Sequence, residues 1–294
     1  MSDHHDGLPD IDALWDYSRP DVSEARFREV LPRAEQSGNR DYRLQLLTQI
    51  ARAQGLRRQY DESHATLDGV RDQLTNDLPA SRVRYLLERG RCFNDTKRPA
   101  DATACFAEAW ELGRANGLDA LAVDAAHMMG IIETGEESLA WNVKAMEHAK
   151  ASADPKARRW LASLQNNIGW TYHSMGKYAE ALAVFEEALR LREEQGKAGP
   201  IRVARWSVAK MHRLLGRVEE ALAAQRALCD EWEAAGEPDG YVFEEMGECL
   251  LALGRPAEAA GSFARAYELL SKDEWFAKEE GERLERMKRI GGLA

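Results

Sequence analysis

Residues 166–189 read NNIGWTYHSMGKYAEALAVFEEAL. The stretch is patterned for helix on both sides of a turn at Gly176, yet it places a second glycine, Gly169, inside the first helix. Glycine there costs about 1 kcal/mol relative to alanine. Something must therefore come close to the backbone at Gly169.

The spacing around that glycine recurs. Gln165, Ile168, Gly169 and Tyr172 lead to Gly176, followed by Ala181, Phe185 and Ala188. Phe243, Met246, Gly247, Leu250, Gly254, Ala259, Phe263 and Ala266 repeat the order near the C-terminus, and Leu86, Arg89, Gly90, Phe93, Ala102, Phe106 and Ala109 repeat it near the start. Weaker copies run through Leu47, Ile50, Ala51, Ser63, Leu67 and Val70, and through Val208, Ala209, His212, Gly216 and Ala221. A further copy surrounds Ala126, Met129 and Gly130, with its second helix expected two residues early across a shortened turn, ETGE. The small residues Ala51, Gly90, Gly130, Gly169, Ala209 and Gly247 are separated by steps of 39, 40, 39, 40 and 38.

This order resembles the tetratricopeptide repeat (TPR), W-x2-L-G-x2-Y followed by A-x3-F-x2-A, with a basic unit of about 34 residues. The resemblance covers roughly residues 41–270 and implies an all-α fold. It implies a right-handed α-solenoid of about six helix-turn-helix repeats, with first helices lining a concave groove. The expected organisation is a disordered tail over 1–9, an N-terminal helical cap over 10–40, the solenoid over 41–272 and a C-terminal capping helix over 273–294. In such a pair Ala181 is the small partner of Gly169, and Tyr172 and Phe185 fill the space beside the crossing.

Prolines punctuate the pattern. Pro79, Pro155, Pro200, Pro238 and Pro256 fall where new helices should open, because a first-turn residue needs no N–H partner. Asp154 is placed to cap the helix that follows it. Pro32 interrupts EARFREVLPRAEQ, so a kink or break is expected there. The segment EWFAKEEGERLERMKRI reads as one charged terminal helix of the polar kind that keeps a solenoid soluble.

Composition bounds the function. The 294 residues carry a net charge of −10, which argues against a general affinity for nucleic acid. No apolar run approaches the roughly 18 residues of a membrane span, and the acidic start MSDHHDGLPD is unlike a secretory signal, so a cytoplasmic location is expected. Cys92, Cys105, Cys229 and Cys249 form no C-x-x-C pair and read as buried thiols. His4 and His5 read as part of a polar tail. There is no Gly-rich phosphate loop, no H-E-x-x-H and no G-x-S-x-G, and the histidines lack metal-ligand spacing, so no enzyme activity, metal or cofactor is expected.

The resemblance does allow groove residues to be placed by register. Counting the small residue as place eight, groove-facing side chains in such repeats come mostly from places two, five, nine and twelve of the first helix. Among the places so selected, Arg52, Arg84, Arg91, Asn94, His127, Asn166, Trp170, His173, Trp206, Lys210, Arg213 and Tyr241 are the expected partner-binding residues, beside the acids Asp124, Glu244 and Glu248. The set is more basic and aromatic than the whole chain. It suits a protein or peptide partner with acidic groups or a carboxylate plus an apolar anchor, because arginine holds carboxylate bidentately and tryptophan offers flat contact area. The tryptophans could equally pack between neighbouring repeats. The expected function is a non-catalytic interaction scaffold; the alternative is a regulatory sensor whose shape and effector binding respond to a peptide or small ligand. Self-association is left open.

Overall fold

The computed structural model describes residues 7–293, and all regular structure among them is helical. A 3-10 turn, Ile11–Leu14, precedes α1 (Pro20–Gln36). Next come the pairs α2 (Arg40–Leu56) with α3 (Tyr60–Arg71), α4 (Pro79–Asp95) with α5 (Pro99–Ala115), and α6 (Asp119–Ile132) with α7 (Gly135–Ala151). The single turn α8 (Pro155–Arg158) leads to α9 (Leu161–Ser174) with α10 (Tyr178–Gln195), α11 (Ala198–Leu214) with α12 (Val218–Ala234), and α13 (Gly240–Ala252) with α14 (Pro256–Leu270). Two short helices, α15 (Glu274–Glu279) and α16 (Gly281–Ile290), end the chain. The six expected hairpins are present. They fall in two compact units, one reaching to Leu164 and one running from Gln165.

What approaches Gly169 is the ring of Phe185. A Cβ built on Gly169 would stand 2.5 Å from Phe185 Cε1, and one on Gly90 would stand 2.6 Å from Phe106 Cε1. Gly247 and Phe263 repeat the arrangement at 2.8 Å. The glycine therefore makes room for an aromatic ring that is itself almost wholly buried, and the ring lies over the glycine rather than beside the helix crossing. In the first pair the same places hold Ala51 and Leu67, a larger residue on one side balanced by a smaller one on the other.

The third pair corrects the expected register. Its second helix begins five residues after Gly130, where α10 begins nine after Gly169, so a whole helical turn is missing rather than two residues. Loss of a whole turn keeps the helix in phase. Ser138 thus donates to the Gly130 carbonyl at 2.6 Å, as Ser63 donates to that of Ala51 at 2.8 Å, and Asn142 lies over Gly130 in the place of Phe185.

Outside the third pair, the turns within the hairpins share one geometry. Gly176, Gly216 and Gly254 take φ of +72°, +83° and +69°, and the following N–H reaches back to a carbonyl of the last helical turn, as Lys177 does to Tyr172 at 2.9 Å. In the first two pairs that left-handed place is held by Arg58 and Lys97, at φ of 60° and 62°.

Helix ends meet most expectations. Pro79, Pro155 and Pro256 are first residues of helices, and Asp154 accepts from the Lys156 N–H at the start of α8. Pro200, the third residue of α11, also lies in a first turn, whereas Pro238 stands just outside its helix, before Asp239, which caps α13. The break expected at Pro32 does not occur: α1 runs through it. Pro32 and Arg28 are both exposed, so the carbonyl deprived of its partner faces water. The expected single terminal helix is divided at Glu280, with Asp273 capping α15 and α16 restarting at Gly281. α16 buries Leu284 and Met287 against the last hairpin.

Of the expected tail, residues 1–6, including His4 and His5, lie outside the described residues. Leu8 packs against the Phe27 and Tyr42 cluster, and the Tyr42 hydroxyl donates to the Pro9 carbonyl at 2.8 Å. All four cysteines are free; Cys105 is half-buried and the other three are buried. Among the described residues no helix is long and apolar enough to cross a membrane.

Candidate functional site

In the first unit, α2, α4 and α6 present their inner faces to a cavity of about 520 Å³ that the N-terminal turn and α8 also line. Its floor is a charge cluster. Arg91, 8% exposed, donates to Glu88 at 2.8 Å and also to Asp124, while Arg52 Nε stands 3.6 Å from Glu88. Burial alone would lower the Arg91 pKa, but Asp124 and Glu88 outweigh it and hold the guanidinium charged. Arg52 goes the other way, lowered by burial and by its neighbour Arg91.

The rim is wetter. Arg84 donates to Asp12 at 2.8 Å and to Gln45 at 3.1 Å. Lys156, on α8, holds Asp12 at 2.7 Å and Asp10 at 3.2 Å. Trp160 packs against the His127 ring at 4.9 Å, and burial keeps His127 below its ordinary pKa. Tyr17 lines the same space, stacked on Trp15 at 4.6 Å, and Trp15 Nε1 donates to Gln49 at 2.9 Å. Arg159 is exposed and has no carboxylate partner among the described residues. Five cationic and four anionic side chains line the cavity, so its charges nearly balance.

In the second unit the expected aromatic residues form a ladder along successive first helices. Trp170 meets Phe185 edge-on at 5.1 Å, His173 at 5.2 Å and Trp206 at 5.7 Å; Trp206 meets Tyr241 at 6.1 Å and donates to its carbonyl at 3.1 Å. Tyr241 continues to Phe276 at 5.6 Å. The tryptophans thus pack between repeats while staying half-buried. Beside them Glu245, 1% exposed, takes Lys210 on one oxygen and Arg213 at 2.8 Å on the other. Burial and the nearby Lys210 ammonium lower the His173 pKa.

The expected residues therefore fall into two groups. Arg52, Arg84 and Arg91 converge on the first cavity, with His127 touching its edge through Trp160; Trp170, His173, Trp206, Lys210, Arg213 and Tyr241 converge in the second unit. Asn94 lies apart, with its side chain on Asp95, and Asn166 is half-buried on α9. The register placed Asp124, which lines the first cavity, but missed two other acids. Glu88 and Glu245 both sit two residues before the small residue of their repeat, and each meets a cation that directly follows the small residue of the preceding repeat, Arg52 or Lys210. An acid at place six following a base at place nine was the signal. Asp10, Asp12 and Lys156 lie outside the repeats and carried none. Among the described residues, no group of three His, Cys, Asp or Glu side chains is placed to hold a metal ion.

Comparison with solved structures gives relatives in fold. The chain is similar to a tetratricopeptide repeat protein from Parabacteroides merdae, with TM-score 0.52, 13% identity, and 95% of this chain and 96% of that one covered. It is similar to NprR in complex with its cognate peptide NprX, with TM-score 0.61, 15% identity, and coverage of 100% and 86%. It is also similar to a signal-transduction ATPase with a tetratricopeptide repeat sensor from Pyrococcus horikoshii, with TM-score 0.69 and 13% identity; 95% of this chain is covered but only 43% of that one. No curated protein matches the sequence. Two family models, both described as tetratricopeptide repeat, match residues 131–194 and 166–236. Their overlap falls on the stretch that contains Gly169 and Phe185, where helix spacing and ring placement agree, and together they identify residues 131–236 as tetratricopeptide repeats.

Proposed function

We propose that this chain is a non-catalytic interaction module, and that the cavity of its first unit receives a carboxylate-bearing segment of a protein or peptide. Arg159 carries the reading. Arg52 and Arg91 are already held by Glu88 and Asp124, whereas Arg159 lines the same cavity with its guanidinium unpaired among the described residues. A free guanidinium beside a cavity takes a carboxylate bidentately, and Trp160 and Tyr17 offer flat surface to an apolar neighbour. The peptide bound by NprR, a protein of the same fold, is in keeping with this reading. Four free thiols suit a reducing compartment such as the cytoplasm.

The test is fluorescence anisotropy with labelled decapeptides, acidic ones containing one aromatic residue against counterparts with lysine for each acid. The native chain should bind the acidic series and reject the basic one. Arg159→Glu should weaken that binding by about tenfold, the loss of one charge-assisted contact, with an unchanged thermal melt because Arg159 is exposed. Equal binding of both series would sink the reading.

A sensor is favoured by one further contact. Lys156 ties α8 to Asp12, 144 residues away in sequence, so a ligand at the rim would loosen segments on different elements. Solution scattering that changes on saturation with an acidic peptide would support the sensor, and an unchanged profile would leave the scaffold.

A further inference from the structure

The rim of the first cavity already holds carboxylates. Asp10 and Asp12 point from the N-terminal turn to Lys156, and Asp12 also takes Arg84. These are the groups, two residues apart, that an incoming acidic segment would need to supply. We propose that Asp10 and Asp12 form an ionic gate over the cavity, and that its ligand is a segment with two similarly spaced carboxylates, which opens the gate by taking Lys156 and Arg84. The proposal rests on the acidic-segment reading above and adds both the pattern of the ligand and the control over its entry.

Two features make the gate displaceable without unfolding the turn. Asp10, Asp12 and Lys156 are exposed, at 56%, 40% and 47%, and ion pairs so open to water contribute little to stability; Arg84 is more deeply set, at 15%, but keeps Gln45 as a second partner when Asp12 leaves. The turn is rooted elsewhere: Ile11 is buried with Phe27 and Ile50, and Leu14 and Trp15 pack on the same cluster. A ligand can therefore capture the cations while Ile11 keeps its place. Electrostatics agrees with mutual engagement. Burial would raise the Asp12 carboxyl, but Arg84 and Lys156 outweigh it and hold it low; Asp12 and Asp10 in turn raise Lys156 against its own burial.

The tether explains why two carboxylates are required. Carboxylates attached a few residues before α1 face the cations at the high effective concentration of an intramolecular contact. A lone carboxylate in solution competes poorly with them. A pair, joined by Arg159 as a third cation that the turn leaves unpaired, gains a contact that the gate itself does not make.

The probe is a fluorescent copy of residues 8–17, LPDIDALWDY, beside the same peptide with Asn for its first two Asp residues. Anisotropy is measured on the full chain as wild type, Asp10→Asn/Asp12→Asn and Asp154→Asn. Asn preserves the caps that Asp10 and Asp154 make, so folding is kept. The double variant should bind the acidic copy about tenfold tighter than wild type, as expected if the gate stands open about a tenth of the time, and should bind the Asn copy no better. Asp154→Asn removes a nearby charge outside the cavity and should leave affinity within about twofold, since exposed charges are screened over distance. An equal gain in Asp154→Asn, or acidic-copy binding alike in wild type and double variant, would overturn the gate while leaving the acidic-segment reading intact. Binding to neither would overturn both.

Discussion

The ring of Phe185 occupies the space in which a side chain on Gly169 would begin, with Cε1 2.5 Å from the position of a Cβ. Glycine and ring are thus one structural choice made in two helices. Phe106 with Gly90 and Phe263 with Gly247 make the same choice, whereas Leu67 with Ala51 makes its complement.

Gly169→Ala should therefore destabilise the protein. Helix propensity favours alanine by about 1 kcal/mol, but displacing a buried ring costs about 1–3 kcal/mol, and the balance should be a loss of up to about 2 kcal/mol. Adding Phe185→Leu recreates the Ala51 and Leu67 pair and should recover at least about 1 kcal/mol as coupling between the sites. Urea unfolding of the four chains in this cycle checks it; additive losses would contradict the pairing.

Lys97→Gly should stabilise. Lys97 holds φ at 62° in the place that Gly176, Gly216 and Gly254 fill elsewhere, and a left-handed lysine is strained by about 1 kcal/mol. Its side chain is exposed, so little packing is lost. A rise of up to about 1 kcal/mol in unfolding free energy is expected, measured by chemical denaturation.

Asn142, 1% exposed, donates to the Ser138 carbonyl at 2.9 Å but leaves its own Oδ1 buried without a hydrogen-bond donor. Asn142→Leu keeps the volume and removes the stranded acceptor, so it should be neutral or stabilise by about 1 kcal/mol. Asn142→Asp places a charge there and should cost more than about 2 kcal/mol at neutral pH. Melting temperatures of the two variants should move in opposite directions or leave only the aspartate variant impaired.

Glu245 makes the second unit sensitive to acid. Burial raises its carboxyl, but Arg213 and Lys210 outweigh burial and hold it below the ordinary 4.5. A folded-state value below the unfolded one gives stability that is fully present above pH 4.5 and lost as pH falls through the folded value. Glu245→Gln should remove that part of the acid dependence and cost about 3 kcal/mol at neutral pH by leaving two cations without their carboxylate. Stability measured from pH 7 down to pH 3 on both chains reads both effects.

The sequence alone determined the helical hairpins, because the small residue, the turn glycine and the buried ring are local choices repeated at nearly constant steps, and each acts through contacts a few turns away. The resemblance to the repeat family, applied by register, also placed Arg52, Arg84 and Arg91 on the face that lines the first cavity, and left Trp170 and Trp206 either there or between repeats. Only the tertiary structure decided what those side chains meet. The one-turn deletion before α7, the acids Glu88 and Glu245 that neutralise the expected cations, and the reach of Asp12 to Lys156 all depend on which helix lies beside which. Charge pairing across repeats is fixed by distance in space, and the chain's periodicity carries direction along each helix but no record of its neighbours.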